Sequence, residues 1–298
     1  MRHGIPFLAA AICVSLLTAP AIAQVSLQWK FKEGARFFAE ETTNVKQTTT
    51  VMNKVQEKHE IQYTLVSFFV EKVTPEHVVL VQTIEELKNE LLKGDPQPED
   101  EEVLKKMKGS KFTITLNTSG QITRFEGYDA LVNKLSDGDD NIARAFRAIL
   151  PKEALQKIAE GSFAWSPTKA VKKGDTWQRI SQIPLGPLGS LKANQKFTYA
   201  GKQKDLDVVG LVSELTYLPA KKDNPDVPFK IIRGDLKAEK ATGTILFDPK
   251  LGRPTQESAA ITLRGKMTVE VLNMEIEVEL YQEQTMVTRI SATRPKVK

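Results

Sequence analysis

Alternation with a period of two, sustained over long runs, constrains this chain more than any other feature. Met274, Ile276, Val278 and Leu280 alternate with Glu275, Glu277 and Glu279, and Ile61, Tyr63 and Leu65 alternate with Glu60, Gln62 and Thr64. That pattern places every apolar group on one face of a strand. Arg36–Met52 is rich in Thr and Val and poor in helix punctuation. A strand of ~15 residues at ~3.3 Å per residue reaches about 50 Å, well beyond the usual strand. Strands of that length twist and coil. The fold class read from this is mainly β, a β-rich α+β protein. It consists of a long curved antiparallel sheet, or a barrel-like pair of half-sheets, with a few central helices. Leu65–Val70 is apolar on both parities and is therefore expected to be covered on both faces.

Helical signals cluster in mid-chain. Tyr128–Leu135 is a short candidate, and Asp140 or Asn141 can cap a helix carrying Ile142, Ala145, Phe146 and Ile149. Pro151 suits the first turn of Lys152–Glu160, and Gly161 its stop. Gly94–Glu102 reads as a solvated, Pro-rich acidic loop, and Pro184–Gly189 as a second, apolar loop. The two sides of this middle segment echo each other. Lys32–Phe37 parallels Lys172–Trp177, each a Lys, a turn Gly and an aromatic opening a strand. Phe112–Leu116 with its Asn117–Gly120 turn parallels Thr244–Phe247 with Asp248–Gly252. The expected organisation is a leader over 1–23 and one large β-rich domain over 24–298. A tandem of related halves, 24–127 and 171–298, joined by a helical segment 128–170, fits within it.

The leader reads as an export signal. Arg2 precedes an apolar run from Ile5 to Leu17, Pro20 breaks it, and Ala21-Ile22-Ala23 supplies small residues for cleavage before Gln24. About 13 apolar residues are too few for a ~30 Å hydrocarbon core, so no membrane span is expected in the mature chain. Export of Sec type, to the periplasm or beyond, is the expectation. Without residues 1–23 the chain keeps 41 of its 42 Lys+Arg and all 37 Asp+Glu, a net charge of +4, and loses Cys13, its one cysteine. Disulfides, thiolate metal sites and cysteine nucleophiles are thereby excluded. The mixed charge and the lack of a basic block interleaved with aromatics argue against nucleic acid as a partner.

Four segments together resemble a known family: LQWKF-x-x-G over Leu27–Gly34, the long Thr/Gln-rich strand, VKKGDTW over Val171–Trp177, and GTILFDPKLGRP over Gly243–Pro254. They are similar to an uncharacterised family of exported bacterial β-rich proteins carrying a domain of unknown function. The resemblance implies export and a β-rich fold and brings no catalytic residues with it. In strand length and helix placement the chain is also loosely similar to periplasmic lipoprotein carriers and mycobacterial lipid carriers. There a curved sheet wraps a hydrophobic cavity closed by helices.

Polar constellations give little chemistry. A Ser-His-Asp site would need His59 or His77, and no GxSxG elbow is present. His77 lies in the turn Thr74–His77, and His59 shares parity with Ile61 and Tyr63, the place of a satisfied rim imidazole. Glu275, Glu277 and Glu279 stand ~6.6–7 Å apart on one strand face, a glycosidase-like distance, but equal environments do not push two pKa values apart. They read as a solvated face paired with Lys or Arg. Asp175 beside Trp177 could bind sugar, yet a tight turn explains both. Asp137–Asn141 lacks the Gly and Glu that an EF-hand needs at its sixth and twelfth positions, where Ile142 and Ala148 stand. It reads as a helix-cap cluster. Arg233-Gly234-Asp235 reads as a hairpin turn or bulge, not an adhesion motif. No phosphate-binding glycine loop or zinc spacing exists, so no cofactor or metal is implied.

The functional expectation is an exported, non-catalytic protein that binds or carries an apolar ligand such as a lipid or acyl chain. Phe68, Trp165, Trp177, Leu185 and Leu188 are the candidate pocket residues. The alternative is a structural or protein-interaction module of the cell envelope, and a carboxylate-dependent envelope hydrolase comes third. Partners are accordingly a lipid or another envelope protein. Periodicity does not decide whether the sheet encloses a cavity; close packing makes a filled core the expectation.

Overall fold

The computed structural model describes residues 24–296 except 97, 185–188 and 221–228. The expected leader lies outside the described residues, as do Leu185 and Leu188. Strands β1 (Arg36–Val51), β2 (Lys54–Val73) and β3 (His77–Lys93) open the fold, followed by helix α1 (Pro98–Met107) and the short β4 (Lys111–Asn117) and β5 (Ile122–Glu126). Helices α2 (Tyr128–Ser136), α3 (Asp140–Ile149) and α4 (Lys152–Gly161) fill the middle. Then come β6 (Thr176–Pro184), β7 (Ser190–Gln203), β8 (Leu206–Leu218), β9 (Lys230–Asp248), β10 (Arg253–Val271) and β11 (Met274–Ser291). All eleven strands form one antiparallel sheet in the order β5-β4-β3-β2-β1-β11-β10-β9-β8-β7-β6. The first and last strands pair at its centre, Phe38 opposite Ser291 through Val51 opposite Val278, and each half of the chain meanders outward from that seam. β2 has 20 residues, about 65 Å of chain. The mainly β class and the long strands agree with the sequence.

Three local expectations need correction. The stretch Gly94–Glu102 is not a loop throughout, because Pro98–Met107 is helical. Proline at a first helical position costs no hydrogen bond. Lys105 pairs with Glu101 at 3.4 Å and Lys106 with Glu102 at 3.2 Å, one turn apart, to support the helix. The cap of α3 is Asp139, one residue earlier than expected, its Oδ1 accepting from the N–H groups of Asn141 and Ile142. Gly161 ends α4 from within, and Ser162 is the cap.

Two apolar cores sit on one face of the sheet, the inner face. The first joins Phe37, Phe68, Leu80 and Ile114 of the strands to Leu131, Val132 and Ala143 of the helices and to Phe163. The second joins Phe197, Val209, Ile245 and Phe247 to Leu27, Trp165 and Val171. The segment before β1 stitches them together. Its odd residues point inward, Leu27 into the second core and Trp29 and Phe31 against the first. Its backbone bonds Val25 to Val171 in both directions, Lys30 to the Gly252 carbonyl, and Gly34 to the Val70 carbonyl.

The connector after α3 draws the two sheet edges together. On the β5 edge, Ile122 donates its N–H to Glu160 and accepts from Gln156, both on α4. On the β6 edge, the Trp177 indole donates to the Trp165 carbonyl, and Arg179 donates to the Ser119 carbonyl in the β4–β5 turn. The connector thus meets the β5 edge through its own side chains and the β6 edge through its backbone, while Arg179 links β6 directly to the β4–β5 turn.

The echo between the halves has a geometric counterpart. Gly34 N–H bonds Val70 O and Val70 N–H bonds Ala35 O; likewise Gly174 N–H bonds Tyr199 O and Tyr199 N–H bonds Asp175 O. A register shift follows Val70 on β2 and Tyr199 on β7. Phe37 stacks on Phe68 at 4.9 Å, and Trp177 on Phe197 at 5.6 Å. After β4 the Asn117 carboxamide, and after β9 the Asp248 carboxylate, accepts from the turn backbone. Thr123 then bonds the Thr115 carbonyl as Thr255 bonds that of Leu246.

Candidate functional site

Above the cores the inner face continues, and among the described residues its side chains become partly exposed. Ile245 of β9, Glu257 of β10, Thr288 of β11 and Glu41 of β1 stand opposite one another in a single row. Opposed residues share a face, so registry extends this face outward without interruption on β10, β11 and β1. Beyond the row, β10 presents Ile261, Leu263, Met267 and Val269 inward; on β11, Gln284 and Gln282 stand opposite the first two, Leu280 opposite Gly265, and Val278 and Ile276 opposite the last two. On β8 and β9, Leu215, Tyr217, Leu236 and Ile231 carry it further. Most of these side chains are partly exposed, and none belongs to either core. Among the described residues the helices make their main strand contacts on β3, β5 and β6.

The same strands are charged on their other face. Lys266 pairs with Glu277 at 3.2 Å and also with Glu279. Arg264 pairs with Glu239 at 3.5 Å and lies 5.0 Å over the Tyr281 ring. The inner side of β8 to β11 beyond the row is thus mainly aliphatic, a trough broken by Gln282 and Gln284, while the outer side of the same strands carries the ion pairs.

The row at its foot is polar. Glu257 buries its carboxyl Oε1 without a partner. Burial pushes its pKa up to about 7, and the neighbouring charge of Glu41 adds to the rise. Glu41 itself accepts hydroxyl hydrogens from Thr43 at 3.3 Å and Thr288 at 3.1 Å. Such an acid can hold a proton near neutrality and donate it in a hydrogen bond. Among the described residues no group of three or more His, Cys, Asp and Glu could hold a metal ion. Sequence reasoning missed both Glu257 and β10. The signal was present: Glu257 shares parity with Ile261, Leu263 and Met267, a charge on the apolar side of the alternation.

The predicted pocket residues lie elsewhere. Phe68 is in the first core, edge-on to Phe163 at 5.6 Å. Trp165 is in the second core, with Trp177 packed against it. These three are brought into packed interior near the connector, not to the trough. The two best-formed concavities, about 70 and 130 Å³, are lined by other residues and are smaller than the ~300 Å³ at which ligand pockets begin. The remaining candidates have structural partners. His59 faces the Asn44 side chain at 3.1 Å, and His77 the Thr74 hydroxyl at 3.1 Å. Asp175 accepts from the Lys172 N–H in its turn. Arg233-Gly234-Asp235 lies within β9 at a register shift, not in a hairpin turn.

A model of a family of unknown function, DUF6263, matches residues 56–293. The chain belongs to the DUF6263 family. No curated protein matches this DUF6263 chain. Among solved structures it is similar to lipovitellin, from a study of lipid–protein interactions, at 10% identity and a TM-score of 0.48. That match covers 90% of this chain and 26% of the lipovitellin chain, so it spans about a quarter of that protein. DynF of the dynemicin pathway of Micromonospora chersina matches at 10% identity and a TM-score of 0.22, covering 95% of this chain and 92% of its own. OccK5 (OpdH) of Pseudomonas aeruginosa matches at 10% identity and a TM-score of 0.24, covering 87% and 98%. All three TM-scores are below 0.5, and no property of these proteins transfers to this one. Among the described residues no helix is long and apolar enough to cross a membrane, which says nothing of crossing by strands.

Proposed function

We propose that this DUF6263 protein is an exported, non-catalytic carrier that holds an apolar ligand, a lipid or acyl chain, against the inner face of β8 to β11. One observation carries the reading: that face is mainly aliphatic and, among the described residues, left partly exposed, while the opposite face of the same strands is laced with ion pairs. An unliganded apolar wall of this extent is costly in water, by roughly 25 cal/mol per Å². A bound hydrocarbon removes that cost. The ligand site is therefore the trough, not the aromatic residues near the connector. We read the matching turns of the two halves as those of one repeated unit, the second of which has kept its inner face free. The test is native mass spectrometry of the mature chain purified gently from the exported fraction. Extra mass that leaves with organic solvent supports the carrier, and the protein mass reports whether residues 1–23 are gone. A clean apo mass, together with no uptake of added fatty acid or phospholipid, rejects it.

A second reading, a protein-interaction module, draws on β6. This edge strand exposes Ile180 to 68%, and a partner strand could add there. Cross-linking through a cysteine placed at Gln178 separates the two readings, because a carrier gives no protein adduct.

A further inference from the structure

Two hairpins at the outer end of the trough finish on apolar side chains where the turn favours others. β1–β2 turns through Met52 and Asn53, with φ of 49° and 62°; β10–β11 turns through Leu272 and Asn273, with φ of 51° and 64°. Two successive positive φ values make a type I′ turn, whose first position favours Asn, Asp or Gly. A bulky residue in the left-handed region is strained by roughly 1–2 kcal/mol. The chain accepts that strain twice, in hairpins that are neighbours in the sheet, and leaves the strained side chains in water. Met52 is 74% exposed and Leu272 82%, with Val55 at 64% and Met274 at 60% beside them. At the opposite end of the sheet the tight β7–β8 turn also takes a bulky residue to positive φ, but a charged one, Lys204 at 54°. Neither folding nor solubility accounts for the apolar choice.

We propose that these two tips insert into the surface of a lipid bilayer. Their shape selects the occupant. Each is a convex two-residue point, with no groove to receive a folded partner. Leu272, the Val271–Met274 pair behind it and the Val269–Ile276 pair two residues farther back span about three residues along the strands, roughly 10 Å at ~3.3 Å each, which matches the ~5–10 Å depth at which apolar side chains settle in the interfacial region. The charges behind the tips are mixed in sign: Lys93 pairs with Glu57, Lys266 with Glu277, and Lys230 stands opposite Glu270. Attraction to anionic headgroups is therefore not the driving force, and zwitterionic lipid suffices. Val51 pairs with Val278, so the β10–β11 tip reaches four to five residues farther, about 15 Å along the strand. Leu272 enters first and Met52 follows as the sheet tilts. Docking does not rest on the ligand reading, although the trough residues Val269 and Ile276 run up to this tip and would open onto the bilayer.

The test is flotation of the chain lacking residues 1–23 with phosphatidylcholine vesicles, and with vesicles also containing phosphatidylglycerol, at low and high salt. Wild type is expected to float with both and to ignore salt. Leu272→Asn should weaken partitioning about tenfold or more, since burying one such side chain contributes ~1.5–3 kcal/mol. Met52→Asn should weaken it less. Asn suits the turn, so both variants should keep or raise the thermal midpoint, which separates lost docking from lost folding. Three outcomes overturn the proposal: wild type that stays in the soluble fraction, Leu272→Asn that floats as wild type does, or flotation only with phosphatidylglycerol that salt abolishes. Dimerisation lost in Leu272→Asn, without vesicle binding, would assign the tips to a second copy instead. Ligand mass retained by a chain that fails to float leaves the carrier standing and removes only the docking.

Discussion

At matching points of the sheet, the first half of the molecule places Phe125 and the second places Glu257. Phe125 opposes Ile114 just after the Thr123 irregularity; Glu257 opposes Ile245 just after that of Thr255. Phe125 stacks on Phe112 at 5.3 Å within a core that α2, α3 and α4 complete. Among the described residues no such helices follow the second half, and its inner face meets a half-buried acid and runs on partly exposed. The same strand-and-turn geometry therefore supports two outcomes, and what decides between them is whether helices arrive to fill the concavity. Where they do, the face is a core. Where they do not, it is a surface.

The strongest way to break this comparison is to remove what closes the first half. Phe163 lies within 5.3 Å of Trp29 and 5.6 Å of Phe68, joining stitch, strand and connector. Phe163→Ala should destabilise by about 3–5 kcal/mol in chemical denaturation. The turn beneath it gives a paired test. A Cβ at Gly120 would stand 2.5 Å from the Phe163 carbonyl, at φ 75°, and that backbone cannot move aside. At Gly252, φ 63°, it would stand 2.4 Å from Lys30 Cβ, which is fixed to its own backbone, so the segment before β1 would have to shift. Gly120→Ala and Gly252→Ala should each lose about 2–4 kcal/mol. A much smaller loss at Gly252 would mean that the second turn is held more loosely than the first.

Much of this was legible in the sequence, and the rest was not for identifiable reasons. Alternation in Met274–Leu280 assigned that strand's faces correctly, and the two-sided apolarity of Leu65–Val70 marked a segment buried on both parities. Leu65, Ser67, Phe68 and Val70 are all buried. Alternation assigns faces but not neighbours, so the pairing of β1 with β11 was out of reach. Aromatic residues drew the pocket prediction to Phe68, Trp165 and Trp177, because large rings mark the places where apolar area is greatest. Those places are where a core forms first. The trough is made instead of medium aliphatic side chains on β10, interrupted by Gly265, and the odd member on that strand is Glu257.

Glu257 sharpens the comparison through pH. Its pKa in the fold, about 7, is above the ~4.3 of a free glutamate, so the native state holds a proton that the unfolded chain has released. Stability is then greatest below the unfolded value and falls as pH rises from about 4.5 through 7. The loss should be on the order of 2 kcal/mol after allowance for partial exposure. Thermal melts of wild type should decline across that window, and those of Glu257→Gln should lose most of the decline. Glu257→Phe, which copies the first half, should be at least as stable as wild type at neutral pH. If the phenylalanine variant is much less stable, the row is not equivalent to that of Phe125 and the comparison fails.

A leucine in the first core and one in the trough give the next contrast, and the two faces of β10 give the smallest expected effect on stability. Leu80 is fully buried in the first core, and Leu80→Ala should lose about 2–5 kcal/mol. Leu263, on the partly exposed face, should lose under about 1.5 kcal/mol on the same change, because much of its surface already meets water. Lys266 and Met267 are adjacent on β10 and point to opposite sides. Removing Lys266 takes away an exposed ion-pair partner, and exposed pairs contribute little. Lys266→Ala should leave both the thermal midpoint and the retained ligand mass unchanged. Met267→Lys puts a charge into the trough without disturbing a packed core, so it should spare the fold and abolish ligand retention. Ligand loss in Lys266→Ala, or retention in Met267→Lys, would place the binding surface on the charged face and leave the apolar one unexplained.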